Sequence, residues 1–201
     1  MSKRICIVCE GYEEYDYISR LKECNIWSDE YTVLPHNAKS IDNVFAVYQN
    51  KYQSDDYDLV LAFCDTEMAP YQKYTTMCSK IDRFHDKKIA EDIVFFVNPC
   101  TLQVVLSHFE KVRLKSNQKS DNANLVKKLT GVNGYIAKSK QREAILAKIN
   151  IENYAVMKSN ISSLSHDYRN VPSTNFDNLL SSLESNNTKW VDVLKNKIDA
   201  E

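Results

Sequence analysis

No apolar run in this chain is long enough to span a bilayer, and the amino terminus lacks the extended apolar stretch of a signal peptide. Both absences point to a soluble protein of the cytoplasm with no membrane role. Internal repeats and low-complexity segments are missing, so the 201 residues read as one compact unit or a core with an appendage. There is no second CxxC beside Cys6 and Cys9, and the four histidines, His36, His85, His108 and His166, do not pair at a ligand spacing. Cys6 and Cys9 lie in a strand-like run, where residues three apart point to opposite faces, which disfavours zinc. The six cysteines fall mostly inside apolar runs and suit buried thiols rather than a disulfide framework.

Net charge is also nearly absent, at −1, but it is unevenly laid out. Residues 1–100 carry 11 Lys and Arg against 17 Asp and Glu, whereas residues 101–201 carry 15 against 10. Between Lys111 and Lys148 there are ten basic residues and only two acidic ones, Asp121 and Glu143. An acidic half beside a basic half suits a metal-dependent enzyme acting on a polyanion. Taken singly, each lysine is as well explained by a solvated helix face.

The chain is organised around residues 4–21. Ile5 to Cys9 is a short, β-branched apolar run, as expected of a central parallel strand covered on both faces. Glu10 ends it, Gly11 permits a sharp turn, and Glu13, Glu14 and Asp16 open a helix whose amino end favours negative charge. A short strand at 31–34, a helix at 41–52, a buried strand at 57–64, a helix at 71–85 and a strand at 92–97 follow. This alternation predicts a parallel sheet of about four strands with right-handed crossovers. Asn98-Pro99-Cys100 then starts a helix with Leu102, Val105, Leu106, Phe109 and Val112 on one face. Beyond residue 112 strand signals stop: residues 1–112 form the α/β core, and 113–201 a helical region packed on it. The polar stretch 115–124 is expected to be a mobile loop.

A carboxylate at the carboxyl end of a parallel strand lies where open α/β sheets build their sites. Glu10 occupies one such end, and Asp65 and Glu67, two residues apart, occupy another. Three converging carboxylates repel unless a cation sits between them, and hard oxygen ligands select Mg²⁺ or Mn²⁺. The alternative is that Asp65 and Glu67 cap the next helix. His108 reads more readily as a hydrogen-bonded structural histidine than as an acid in the crevice, Thr174 as an N-cap, and Asn98 as a turn residue near the site. Lys111, Arg113, Tyr135, Lys138 and Arg142 can grip nucleic-acid phosphate, with Tyr135 stacking on a base.

These residues together resemble the Toprim fold, and within it the RloB-like family of bacterial phage-defence proteins. Glu10-Gly11 with Glu14, Tyr17 and Ile18 is similar to the family's opening EG-x-x-E-x-x-Y-[FI], and Asp65-Thr66-Glu67 stands in the place of its D-x-D. Asn98-Pro99-Cys100 with His108-Phe109, Gly134-Tyr135 with Lys138, and Pro172-Ser173-Thr174 with Leu179 resemble its later motifs. The chain departs in having Glu67 rather than Asp as the last acid, and Leu102 and Val104 where the family has an acidic residue and a tryptophan. The resemblance implies a Mg²⁺-dependent nuclease acting on DNA or RNA in abortive anti-phage defence. Glu10 would be base or ligand, Asp65 and Glu67 metal ligands, and Glu14, Asn98, His108 and Thr174 supporting residues. It also implies an ATPase partner from the same defence system. The competing reading is an inactive Toprim-like module that binds nucleic acid or protein. A phosphoacceptor receiver fits the sheet but lacks a paired acidic motif after the first strand.

Overall fold

The computed structural model describes residues 2–200. Strands β1 (Lys3–Cys9), β2 (Tyr31–Asn37), β3 (Leu59–Asp65), β4 (Val94–Asn98) and β5 (Ser173–Thr174) form one sheet in the order β2-β1-β3-β4-β5. The first four run parallel and β5 pairs antiparallel with β4, so the protein is α/β with a helical carboxyl-terminal region. The β1 and β3 runs are almost wholly buried, as their unbroken apolar sequences require.

Strand order decides where the helices go. β2 lies on one side of β1 and β3 on the other, so right-handed crossovers put α1 (Tyr12–Glu23) and α2 (Ile41–Gln53) on opposite faces. On the α2 face, α3 (Gln72–His85) packs through Phe84 against Phe45, with ring centres 6.1 Å apart. On the α1 face, Phe176 opens α9 (Phe176–Glu184) and stacks on Phe63 of β3 at 4.6 Å while touching Tyr17 of α1. Phe176 is fully buried, and its truncation to alanine would cost about 3–5 kcal/mol. Helices α7 (Ser139–Leu146) and α8 (Ile151–Ile161) pack on α1 and on α5 (Leu102–Ser107), so the late helices share the core rather than forming a separate unit. Helix α10 (Lys189–Asp199) is tied down by Trp190 Nε1 donating to Tyr31 and by Tyr52 donating to Asp199.

Local expectations from the sequence differ from the structure at several places. Residues 90–93 form a short helix, α4, and the strand begins only at Val94, because Asp82 accepts from the backbone of Ile89 and Ala90 and turns the chain there. The helix after Asn98-Pro99-Cys100 stops at Ser107, leaving Phe109 and Val112 outside it. Gln103 explains the stop, since its side chain bonds the backbone of Val112 and Leu114 and folds the chain back. The stretch 115–124 is not all loop: α6 (Lys119–Thr130) starts within it, its entry held by Ser116 donating to Asp121 and Asn122 donating to the Ser116 carbonyl. Finally, β5 escaped notice because two residues carry no period. Its edge is completed by the Asn175 side chain, which bonds both Phe96 N and Val94 O. Thr174 takes the Phe176 amide at 3.1 Å and donates to Phe96 O, while Asn175 holds the N-cap position expected of Thr174.

All six cysteines are free thiols. Among the described residues no helix is long and apolar enough to cross a membrane.

Candidate active site

The chain reverses its direction of progress through the sheet between β1 and β3, and the carboxyl ends of strands flanking such a reversal leave an open crevice. Glu10 follows β1 and Asp65 ends β3. Their contact is direct: Glu10 Oε2 accepts from the Asp65 amide at 2.9 Å, while the Glu10 amide donates to Phe63 O at 2.9 Å. The turn after β4 adds Thr101, and the first turn of α1 adds Glu14, which is buried.

Glu14 is locked from both ends. Its Oε2 accepts from Gly11 N at 2.9 Å, and its Oε1 lies 2.6 Å from Thr101 Oγ1. Gly11 is not required by its backbone, which is extended at φ −142°; a Cβ there would instead press on Glu14 Oε2 at 3.2 Å. Thr101 Oγ1 also lies 2.7 Å from Asp65 Oδ1. A hydroxyl has one proton to give, so it cannot donate to two carboxylates at once. Either one acid holds a proton and donates it to Thr101, or two like charges face each other across one oxygen.

The titration of the acids follows. Burial, then the Glu14 charge, pushes Glu10 up to about 8. Burial, then Glu14 and Glu10, holds the Asp65 carboxyl well above the usual carboxylate range, and burial raises Glu14 against the help of the Thr101 hydroxyl. Some relief comes from Lys119 at the start of α6, which pairs with Glu13 and whose charge also draws Asp65 down. Tyr135 donates to the other Glu13 oxygen at 2.7 Å.

Glu67 is not brought into this network. It sits at φ +58°, its side chain is 42% exposed, and Lys73 lies 3.9 Å away, although its charge still adds to the upward shift of Glu10. Among the described residues no three Asp, Glu, His or Cys side chains are placed to enclose a cation; of the three expected acids, Glu10 and Asp65 are the two that meet. The pair fits Mg²⁺ by its donor chemistry, because Mg²⁺ keeps most of its waters and is held by one or two carboxylates together with substrate phosphate. Glu10 Oε1 and Asp65 Oδ2 make no hydrogen bond among the described residues and are the oxygens free to ligate it.

Two of the other expected residues, Tyr135 and Arg142, are taken up by the fold. Tyr135 is 2% exposed and bonded to Glu13, so it is no stacking platform. Arg142 is largely buried, its Nε bonded to Asp16 at 2.7 Å and an amino group to Ala137 O at 2.5 Å. Lys111, Arg113 and Lys138 are exposed and have no ion-pair partner among the described residues, as do Lys115, Lys127, Lys140 and Lys148. His108 is buried between Tyr17 and Asn153, and burial lowers it to about 4. Asn98 is structural too, donating to Tyr168 O at 2.6 Å and Asn170 O at 3.0 Å. Sequence reasoning missed Thr101 and Lys119. The signal for Thr101 was its position just past the strand next to that of Asp65; Lys119 had none, lying in an apparent loop.

No family model matches the chain, and no curated protein or solved structure matches it.

Proposed function

We propose that the protein is a divalent-cation-dependent nuclease of Toprim type, hydrolysing phosphodiesters of DNA or RNA in anti-phage defence as an RloB-like protein. The observation that carries this is the crowding of acids at the strand ends: Glu14 and Asp65 both meet the Thr101 hydroxyl beside Glu10, and a cation would relieve their mutual repulsion. Mg²⁺ or Mn²⁺, when bound, supplies Lewis-acid stabilisation of phosphate charge and a more acidic attacking water. Glu10 and Asp65 would hold it. Glu14 and Thr101 orient Asp65, and Glu10, pushed up to about 8 by burial and the Glu14 charge, holds its proton near neutral pH until a cation takes that proton's place. The exposed lysines of 111–148 draw in the polyanion.

The test is cleavage of labelled single- and double-stranded DNA and RNA with Mg²⁺, Mn²⁺ or EDTA. Divalent-dependent cleavage lost in Asp65→Asn supports the reading; cleavage unaffected by EDTA and by Asp65→Asn refutes it. One observation favours a second reading, an inactive module that binds nucleic acid or a partner. Lys119 already supplies counter-charge to the acids, so the network can persist with no ion. Binding without any cleavage would select it.

A further inference from the structure

Tyr12 follows Gly11 and is two residues beyond Glu10, at the first position of α1. It is 56% exposed. One of its faces is taken: the Arg142 guanidinium lies over the ring, 5.3 Å from its centre. Arg142 does not wander, being fixed by Asp16 and by the Ala137 carbonyl. Exposure on this scale therefore comes from the opposite face and the edge. Ile136, in the loop beside Arg142's anchor, is another apolar side chain left in solvent, at 57%. A cation held behind an aromatic ring fixes the ring's orientation and leaves a flat apolar surface pre-ordered at no further entropic cost.

We infer that Tyr12, buttressed by Arg142, is a stacking platform for an unpaired base of a single-stranded nucleic acid whose backbone passes the Glu10–Asp65 crevice. The ligand class follows from the chemistry around it. Seven cations between residues 111 and 148 without ion-pair partners among the described residues call for a polyanion. A flat aromatic face calls for a planar ring, and every base offers one. In a duplex the base faces are occupied by their neighbours, so a platform of this kind prefers single strands. Arg142, expected from sequence to hold phosphate, acts instead through Tyr12 as a positioning residue, and the role expected of Tyr135 passes to Tyr12.

This rests on the nucleic-acid part of the reading above but not on catalysis, so it is tested in EDTA. Fluorescence anisotropy would be measured with a short labelled single strand and with its duplex, on the full chain. Tyr12→Ala is expected to weaken single-strand binding about tenfold or more. Duplex binding, which depends on the lysines, and the melting temperature should barely change. Tyr12→Phe should retain wild-type affinity, and Tyr12→Trp should show new tryptophan emission that single strands quench. Equal affinity of wild type and Tyr12→Ala for the single strand overturns the inference. So does equal loss for strand and duplex, or failure of the wild type to bind the strand at all. Loss of cleavage control by the acids with Tyr12-dependent binding intact would sink the nuclease reading and leave this one standing.

Discussion

Helix α5 has a buried polar network at each end, and the two are built on opposite principles. At its carboxyl end His108 lies between Tyr17, 2.9 Å from Nε2, and Asn153 Oδ1, 3.1 Å from Nδ1. The carbonyl oxygen can only accept, so Nδ1 carries the proton and Nε2 receives the tyrosine O–H: one neutral tautomer satisfies every atom. At the amino end Thr101 lies between two acids, Glu14 and Asp65, with one hydroxyl proton of its own. At His108 each donor meets an acceptor, the usual state of a buried polar group. At Thr101 the match depends on a proton held by one of the acids, and in the proposed site a cation would take that proton's place.

The largest expected effect breaks the comparison at its chemical end. Glu10→Gln and Asp65→Asn should reduce divalent-dependent cleavage to background, while Glu67→Gln, at the exposed Lys73 pair, should cost only a modest fraction. Rates on a labelled oligonucleotide decide it, and equal losses for all three would restore Glu67 to the site.

Next comes pH, where the two networks should pull in opposite directions. His108 has a folded-state value of about 4 against 6.5 for the free side chain, so as pH falls the unfolded chain is protonated first. Its contribution is complete above 6.5 and is lost on the way down to 4, on the order of 3 kcal/mol. Glu10 is raised from 4.5 to about 8, so the folded state keeps the proton longer, and stability from this group is greatest below 4.5 and lost as pH rises towards 8. Urea unfolding across pH should show the acid-side loss disappear in His108→Gln and the alkaline-side loss shrink in Glu10→Gln.

A smaller effect tests the hydroxyl itself. Thr101→Val keeps the shape but removes the donor facing buried Glu14, and should cost about 1–3 kcal/mol in the metal-free protein. Thr101→Ser should restore most of it. Smallest is Lys119→Met, which removes a partly exposed counter-charge and should cost about 1 kcal/mol or less. Added Mg²⁺ should reverse this loss, and a loss indifferent to Mg²⁺ would mean that Lys119 acts on Glu13 alone.

How far the chain could be read in advance follows from the same physics. The runs Ile5–Cys9 and Leu59–Cys64 announced parallel strands because burial on both faces leaves no polar position, and Glu10 and Asp65 then stood at strand ends by count alone. The helical character of the region beyond residue 112 was legible from the end of the strand signals. What failed were features made by side chains reaching across the fold. Tyr135, Lys138 and Arg142 looked alike as a basic-aromatic cluster, yet Glu13 and Asp16 on α1 claim the first and the last, and nothing local records that. Glu67 looked equivalent to Asp65 until a positive φ turned it towards Lys73. Thr101 is an ordinary threonine until the sheet sets it between two acids.

If Glu10 and Asp65 hold a divalent cation, adding that ion should stabilise the folded protein. Thermal unfolding of the wild type and of Asp65→Asn, with and without Mg²⁺ or Mn²⁺, addresses this most directly. A ligand bound only by the folded state adds about 2.7 kcal/mol at a hundredfold excess over Kd, which for a chain of this size is several degrees in Tm. That rise is expected in the wild type and not in Asp65→Asn, and metal-free Asp65→Asn should be no less stable than the metal-free wild type. A wild-type Tm indifferent to both ions, with Asp65→Asn less stable than the wild type, would contradict this and leave the acids as part of the fold.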